Sequence, residues 1–360
     1  MSLIASISGI RGTIGGRVGE NLTPIDIVKF TAAYATNLKG KGLNNRVVIG
    51  RDARVSGKMV SALVASTLMS VGMDVIDLEL TTTPTVEIAV PLENAAGGII
   101  ITASHNPANW NALKLLNEKG EFISAEEGEK ILQLYNHQDF DFTNVENLGT
   151  FNLNNTYLQK HIDLILGLEL VDKEAIAKQN FKVAIDCVNS TGGIYVPALL
   201  KALGVNHIAE LNVIPNGHFP HNPEPLKENL TEICEYLKNN ELDLGIVVDP
   251  DVDRLVFVCE NGELFGEEYT LVAVADYILQ HQKGATVSNL SSSRALRVIT
   301  EKANCQYHSA SVGEVNVVAK MKEINAVIGG EGNGGIIYPK LHYGRDALVG
   351  IALFLTHLVN

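Results

Sequence analysis

Basic residues are in short supply in this chain: 28 Lys and Arg stand against 41 Asp and Glu, for a formal net charge of -13 over 360 residues. Binding to nucleic acid requires a Lys/Arg footprint that displaces counterions from phosphates, so this deficit argues against a nucleic-acid partner. A small anionic substrate stays compatible if the few cations gather at one site. Cysteine is scarce too. Cys187, Cys234, Cys259 and Cys305 are widely spaced, form no CxxC pair and have no His arrangement of the zinc type, which points to buried free thiols in a reducing cytosol. No stretch runs to about 18 apolar residues, and the N-terminus lacks a basic region leading into an apolar core. The expectation is therefore a cytoplasmic protein with no membrane partner. The nucleophile elbow GxSxG, the P-loop and the GxGxxG dinucleotide fingerprint are also missing.

What is present is a hydrophobic fraction of 46%, enough for two or three globular domains in a chain of this length. Short β-rich runs recur ahead of helical patterns: RVVIGRD (46–52), GGIIITA (97–103), FKVAIDC (181–187), LGIVVDP (244–250), ATVSNLS (285–291) and AVIGGEG (326–332). Their unbroken apolar stretches predict strands covered on both faces in α/β domains, with functional residues in the loops at their carboxyl ends. Residues 57–71 predict a helix whose inward side chains are Met59, Leu63, Leu68 and Val71, stopped by Gly72. Two seams are expected, one in the polar stretch 136–155 and one after DPDVDR, where the strand-like LVFVC begins. They give domains at 1–150, 151–255 and 256–360, each with strand-helix units that suggest a duplicated module.

Four motifs carry candidate chemistry. In DPDVDR, Asp249, Asp251 and Asp253 follow a buried strand, and three alternating carboxylates suit one hard cation, Mg2+ before others. A calcium EF-hand, suggested by Glu260 at the twelfth position, fails because Arg254 stands where the loop needs Gly. A solvated acidic turn is the plain alternative. Ser104 lies at a strand end in TASHNP, where the turn chemistry of Asn106 and Pro107 could account for it. A serine there could instead carry a phosphoryl group. Arg11 in SGIRGT, Lys114 and Arg254 are cations beside these motifs, each compatible with an ordinary surface ion pair. In GGEGNGG (329–335), Glu331 and Asn333 offer an acceptor and an amide suited to sugar hydroxyls, although a tight structural turn has the same glycine content.

SGIRGT, TASHNP, DPDVDR and GGEGNGG, in this order and at these separations, resemble the α-D-phosphohexomutase family across nearly the whole chain, over that family's first three domains. The resemblance implies three consecutive similar α/β domains with mixed sheets: a phosphoserine loop in 1–150, a metal-binding loop in 151–255 and a sugar-recognition loop in 256–360. It implies that Ser104 is the phosphoserine and that Asp249, Asp251 and Asp253 hold one Mg2+. Arg11, His105 and Lys114 correspond to active-site residues of the first domain, with Lys114 or His105 left open as the proton carrier. Arg254, Glu331 and Asn333 correspond to substrate-binding positions. The implied reaction interconverts hexose 1-phosphate and 6-phosphate through a hexose 1,6-bisphosphate, with phosphoglucosamine mutase favoured over phosphomannomutase or phosphoglucomutase. A Mg-dependent phosphohydrolase and a non-catalytic sugar-phosphate-binding protein are the alternatives of other classes.

The chain departs from that family in three places. Gly335 stands where many members have His, and Glu314 in SVGEV stands where others have His or Asp. The R-x-S-G-T-E-P phosphate loop of the family's fourth domain does not occur in these 360 residues. A missing C-terminal domain, and with it slow mutase turnover, is therefore the expectation.

Overall fold

The computed structural model describes residues 2–6 and 9–360, so Ser8, the first residue of SGIRGT, lies outside the described residues. They group into two compact units, one running to Leu158 and including Asn216–His218, the other formed by Gln159–Pro215 and Phe219–Asn360.

The first unit contains β1 (Ile4–Ser6), β2 (Gly9–Thr13), α1 (Pro24–Gly40), β3 (Arg46–Arg51), α2 (Gly57–Ser70), β4 (Asp74–Leu80), α3 (Thr83–Leu92), β5 (Gly97–Ile101), β6 (Trp110–Leu116), α4 (Ala125–His137) and β7 (Phe151–Leu153). Its seven strands form one sheet in the order β1-β2-β6-β5-β3-β4-β7. Strand alternation divides the core. Val47, Ile49, Ile99 and Ile101 point into a cluster shared with Phe30 and Leu38 of α1, while Val48 and Ile100 point to the opposite face and pack on Val86 and Val90 of α3. Helix α1 starts where it does because Thr23 and Asp26 form a reciprocal capping box, with Pro24 supplying the helical φ of the first turn.

Helix α2 spans the expected residues and ends at Val71, with Gly72 at φ +88°. Leu68 and Val71 are buried as expected, but the rest of its inward face differs from the expectation. Val60, Val64 and Leu68 are buried together with Ser61 and Ala65, whereas Met59 is 39% exposed and Leu63 is half-buried. The side of the helix with small residues permits the closer approach to the sheet, so the larger Met59 is turned out. The polar stretch 136–155 likewise holds more structure than its composition indicates. Its last part pairs as the exposed edge strand β7 alongside β4.

The second unit contains α5 (Tyr157–Leu166), α6 (Lys173–Gln179), β8 (Lys182–Asp186), α7 (Gly192–Ala202), β9 (His207–Leu211), α8 (Thr231–Lys238), β10 (Leu244–Val248), β11 (Leu255–Cys259), α9 (Glu267–His281), β12 (Thr286–Asn289), α10 (Ala295–Lys302), β13 (Tyr307–Ala310), α11 (Glu314–Glu323), β14 (Ile328–Glu331), β15 (Gly335–Ile337) and α12 (Ala347–Val359). Two four-stranded sheets run β11-β10-β8-β9 and β13-β12-β14-β15. The LVFVC segment, from which the third domain was expected to run, is β11 and pairs antiparallel with β10 along its length, in the sheet of β8 and β9. Helix α12 is buried from Ala347 to Thr356, and Phe354 stacks on Phe257 with ring centroids 3.8 Å apart. Asp346 caps this helix and receives His161 Nε2 of α5 at 2.9 Å.

All three sheets repeat one plan. In β3-β4-β5-β6, β8-β9-β10-β11 and β12-β13-β14-β15, the first three strands run parallel with the first in the middle, and the fourth returns antiparallel beside the third. The reversals follow β5, β10 and β14. The motifs TASHNP, DPDVDR and GEGNGG occupy these three equivalent turns. A strand therefore follows each of these runs, as expected of LVFVC after DPDVDR but where a helix was expected after the other two.

The cysteines are free, as expected, but only Cys187 is buried; Cys234, Cys259 and Cys305 are half-buried. Burial pushes the Cys187 thiol well above its ordinary range. No helix among the described residues is long and apolar enough to cross a membrane.

Candidate active site

Ser104 sits in the turn between β5 and β6, buried and with φ at +47°, a left-handed conformation that a non-glycine residue adopts only when its surroundings impose it. Here the imposing group is Arg54, fully buried after β3. Its Nη2 donates to the carbonyls of Ser104 (2.5 Å) and Asn106 (2.6 Å), and its Nη1 to those of Pro107 (2.6 Å) and Trp110 (3.0 Å). Asp52 compensates the charge. Its Oδ2 accepts from Arg54 Nε at 3.0 Å and from Thr102 Oγ1 at 2.7 Å, and Thr102 Oγ1 in turn accepts from the Ser104 N–H at 2.9 Å. The serine turn is thus fixed at its carbonyl and amide groups by one buried, hydrogen-bonded ion pair. His105 and Asn106, next in the turn, are half-buried.

Arg11 and Lys114 lie on neighbouring strands. Arg11 of β2 pairs with Ala112 of β6, and Gly9 pairs with Lys114, so the two cations are diagonal neighbours on the same face of the sheet. Gly9 is obligatory, since a Cβ there would lie 2.0 Å from the Leu113 carbonyl oxygen. Lys114 Nζ stands 5.9 Å from the centre of the Phe122 ring, while Arg11 is exposed.

In the second unit, Asp249, Asp251 and Asp253 are all buried, and each places a carboxylate oxygen within 4.8 Å of the others. Burial pushes the Asp249 carboxyl well above the usual range, and the charges of Asp253 and Asp251 push it the same way. Asp249 Oδ1 accepts the N–H groups of Asp253 and Arg254, both at 3.1 Å, and Val252 just before them is held at φ +62°. The loop is braced from outside by Ser190 and Thr191, whose hydroxyls donate to the Pro250 carbonyl at 2.6 and 2.9 Å. Three convergent buried carboxylates fit Mg2+, which takes hard oxygen ligands and leaves positions for water or phosphate. The Arg254 guanidinium reaches Glu224 at 2.8 Å.

Glu331 closes β14 with both carboxylate oxygens engaged by the protein. Oε1 accepts from Asn289 Nδ2 at 2.8 Å and from the Gly313 N–H at 3.1 Å, and Oε2 faces Arg345 Nη1 at 3.1 Å. Asn333, half-buried two residues on, turns Oδ1 to the Gly335 N–H at 3.3 Å. The structure therefore joins Asp253 and Glu331 through Arg345, which also holds Glu314. Burial raises the Glu314 carboxyl, and the adjacent Arg345 charge opposes the rise.

Arg54 and Arg345 escape a reading of the sequence. The signal for Arg54 was its position beside Asp52, directly after the RVVIG strand. Arg345 had no local signal, since its partners come from positions 253, 314 and 331.

Residues 4–142, 159–262 and 266–360 match, in turn, the alpha/beta/alpha domains I, II and III of phosphoglucomutase/phosphomannomutase. A phosphoglucomutase/phosphomannomutase of Thermococcus kodakarensis is 36% identical over 95% of this chain and 75% of its own length. A phosphoglucosamine/phosphogalactosamine mutase of Sulfurisphaera tokodaii is 32% identical over 100% of this chain and 78% of its own length. Among solved structures, a phosphoglucomutase/phosphomannomutase family protein of Burkholderia thailandensis superposes with a TM-score of 0.87 at 25% identity, covering 99% of this chain and 76% of that one.

Proposed function

The chain belongs to the phosphoglucomutase/phosphomannomutase family, and from that premise we propose that it is a phosphoglucosamine mutase working through phospho-Ser104. The observation that carries the serine's role is its buried turn, strained at φ +47° and tied to Arg54 through its own carbonyl. Such an outlier persists only where the surroundings over-determine it, which is how reactive groups are pre-positioned. The S. tokodaii relative, whose name specifies amino sugars, supports the choice of substrate. The T. kodakarensis relative supports a second reading, phosphoglucomutase/phosphomannomutase activity at the same serine.

In the first half-reaction the bond between Ser104 Oγ and phosphorus breaks while a bond forms between that phosphorus and a sugar hydroxyl oxygen. The hydroxyl proton passes to Lys114 or His105, and Ser104 recovers a proton as its alkoxide leaves. The hexose 1,6-bisphosphate then reorients, and its other phosphoryl group returns to Ser104 by the reverse steps. Phosphoryl transfer depends on alignment and charge neutralisation more than on covalent help from the protein. Asp249, Asp251 and Asp253 would hold Mg2+, which when bound neutralises charge on the phosphoryl oxygens. Arg11 and Arg254 bring positive charge to the phosphates, and Asn333 offers its amide to the sugar. We place the protein in the cytoplasm, where its four thiols stay reduced.

The test is phosphosite mapping by mass spectrometry of the purified chain, before and after incubation with Mg2+ and glucosamine 1,6-bisphosphate or glucose 1,6-bisphosphate. Label at Ser104 that exchanges with the bisphosphate is expected. Label at another residue, or label that persists in Ser104→Ala, overturns the reading, and faster exchange with the glucose compound favours the second one.

A further inference from the structure

Three segments of the second unit converge on the Arg345 guanidinium. Nη2 lies 2.7 Å from Asp253 Oδ2 in the acidic loop, Nε 2.8 Å from Glu314 Oε2 at the start of α11, and Nη1 3.1 Å from Glu331 Oε2 at the end of β14. The Arg345 backbone N–H adds a bond to Glu314 Oε1 at 3.3 Å. Each guanidinium nitrogen has its own carboxylate, so the planar fork is used in full; a lysine ammonium in the same place could supply the charge but not the geometry. Space is reserved for this side chain. A Cβ at Gly335 would lie 2.3 Å from Arg345 Cδ and 3.0 Å from Cγ, so the strand residue beneath it has to be glycine.

We propose that Arg345 is a positioning residue that serves the acidic loop as a fixed internal counter-cation, tying Asp253 to Glu314 and Glu331 and limiting how strongly the three aspartates attract Mg2+. A cation 2.7 Å from an oxygen of Asp253 opposes the approach of a second cation to the same carboxylate. The proposal rests on the reading of Asp249, Asp251 and Asp253 as the Mg2+ site.

Calorimetric titration of the chain with MgCl2, in the absence of sugar, tests it. Arg345→Met is expected to bind Mg2+ about tenfold more tightly than the wild type. Arg345→Lys keeps the charge and is expected to return the affinity close to the wild-type value while leaving the melting temperature lowered. That separation would not arise from a purely structural role, for which both variants lose stability and neither shifts affinity according to charge. Gly335→Ala supplies an independent route, since it displaces the arginine stem while leaving the charge in the chain. It is expected to tighten Mg2+ binding in the same direction and to add nothing in the Arg345→Met background. A folded Arg345→Met with wild-type Mg2+ affinity overturns the proposal; if that variant does not fold, wild-type affinity in Gly335→Ala does so. A wild-type chain that binds no Mg2+ overturns the metal reading itself, and the role of Arg345 falls with it.

Discussion

At the end of β5, buried Arg54 meets Asp52 and the carbonyl oxygens of Ser104, Asn106, Pro107 and Trp110; at the end of β10, three buried aspartates meet one another. Both turns occupy the same place in the same four-strand plan, and Ser104 in the one and the three aspartates in the other are buried. The first is electrostatically complete, because its ion pair is compensated and its donors are satisfied within the protein. The second has more negative charge than its arginines offset, and burial first, then the charges of Asp253 and Asp251, raise the Asp249 carboxyl. A turn that must present one oxygen atom at a fixed position is best built closed; a turn that must receive a cation is best left short of one.

The sharpest way to break this comparison is Ser104→Ala, which removes the hydroxyl proposed to carry the phosphoryl group. Phosphate label at position 104 and bisphosphate exchange should both vanish while the melting temperature stays near wild type. Next in size is Arg54→Met. Removing one partner of a buried pair leaves Asp52 uncompensated and four carbonyls without their donor, which costs about 3 to 5 kcal/mol in urea unfolding. A cost under about 1 kcal/mol, the range of a surface pair, would show that the turn holds its shape without the arginine.

The acidic turn should respond to solution conditions instead. Mg2+ at about 100 times its dissociation constant should stabilise the chain by about 2.7 kcal/mol, and EDTA should remove the gain. Asp251→Asn should abolish that gain, whereas Ser104→Ala should retain it in full. The smallest effect concerns a carboxylate that is compensated. Burial alone would raise the Asp346 carboxyl, but the charge and hydrogen bond of His161, aided by His342, hold it far below the ordinary carboxylate range. A depressed native value means that the stabilisation is present above the unfolded value, near pH 4, and is lost as the pH falls towards the native one. Asp346→Asn should therefore cost about 1 to 2 kcal/mol at neutral pH, and the difference from wild type in thermal melts should shrink below pH 4.

Much of this was legible beforehand. The six apolar runs are strands, and the TASHNP, DPDVDR and GEGNGG motifs lie at their carboxyl ends, because buried parallel strands leave a strong local signature. Three kinds of feature were not legible. The return strands β6 and β15 follow turns whose sequences resemble strand-to-helix loops, and only pairing distinguishes the two. Helix α2 shows its Val60 and Val64 side to the sheet because packing distance, not total hydrophobicity, selects the face. Arg54 takes its meaning from carbonyl partners 50 to 56 positions away and Arg345 from carboxylates 14 to 92 positions away, separations at which periodicity carries no information.

The return strand also constrains how these turns can change. A loop that runs from a strand into a helix is pinned at one end and can swing at the other, whereas Val248 and Leu255, the residues flanking the acidic turn, are cross-strand partners in adjacent strands about 5 Å apart. Both mouths of such a turn are anchored to the same sheet. Residues inserted between them lengthen the arc without shifting its feet, and the entropy of closing it grows only with the logarithm of its length. Each of the three turns can thus change in length and sequence while the sheet beneath stays as it is.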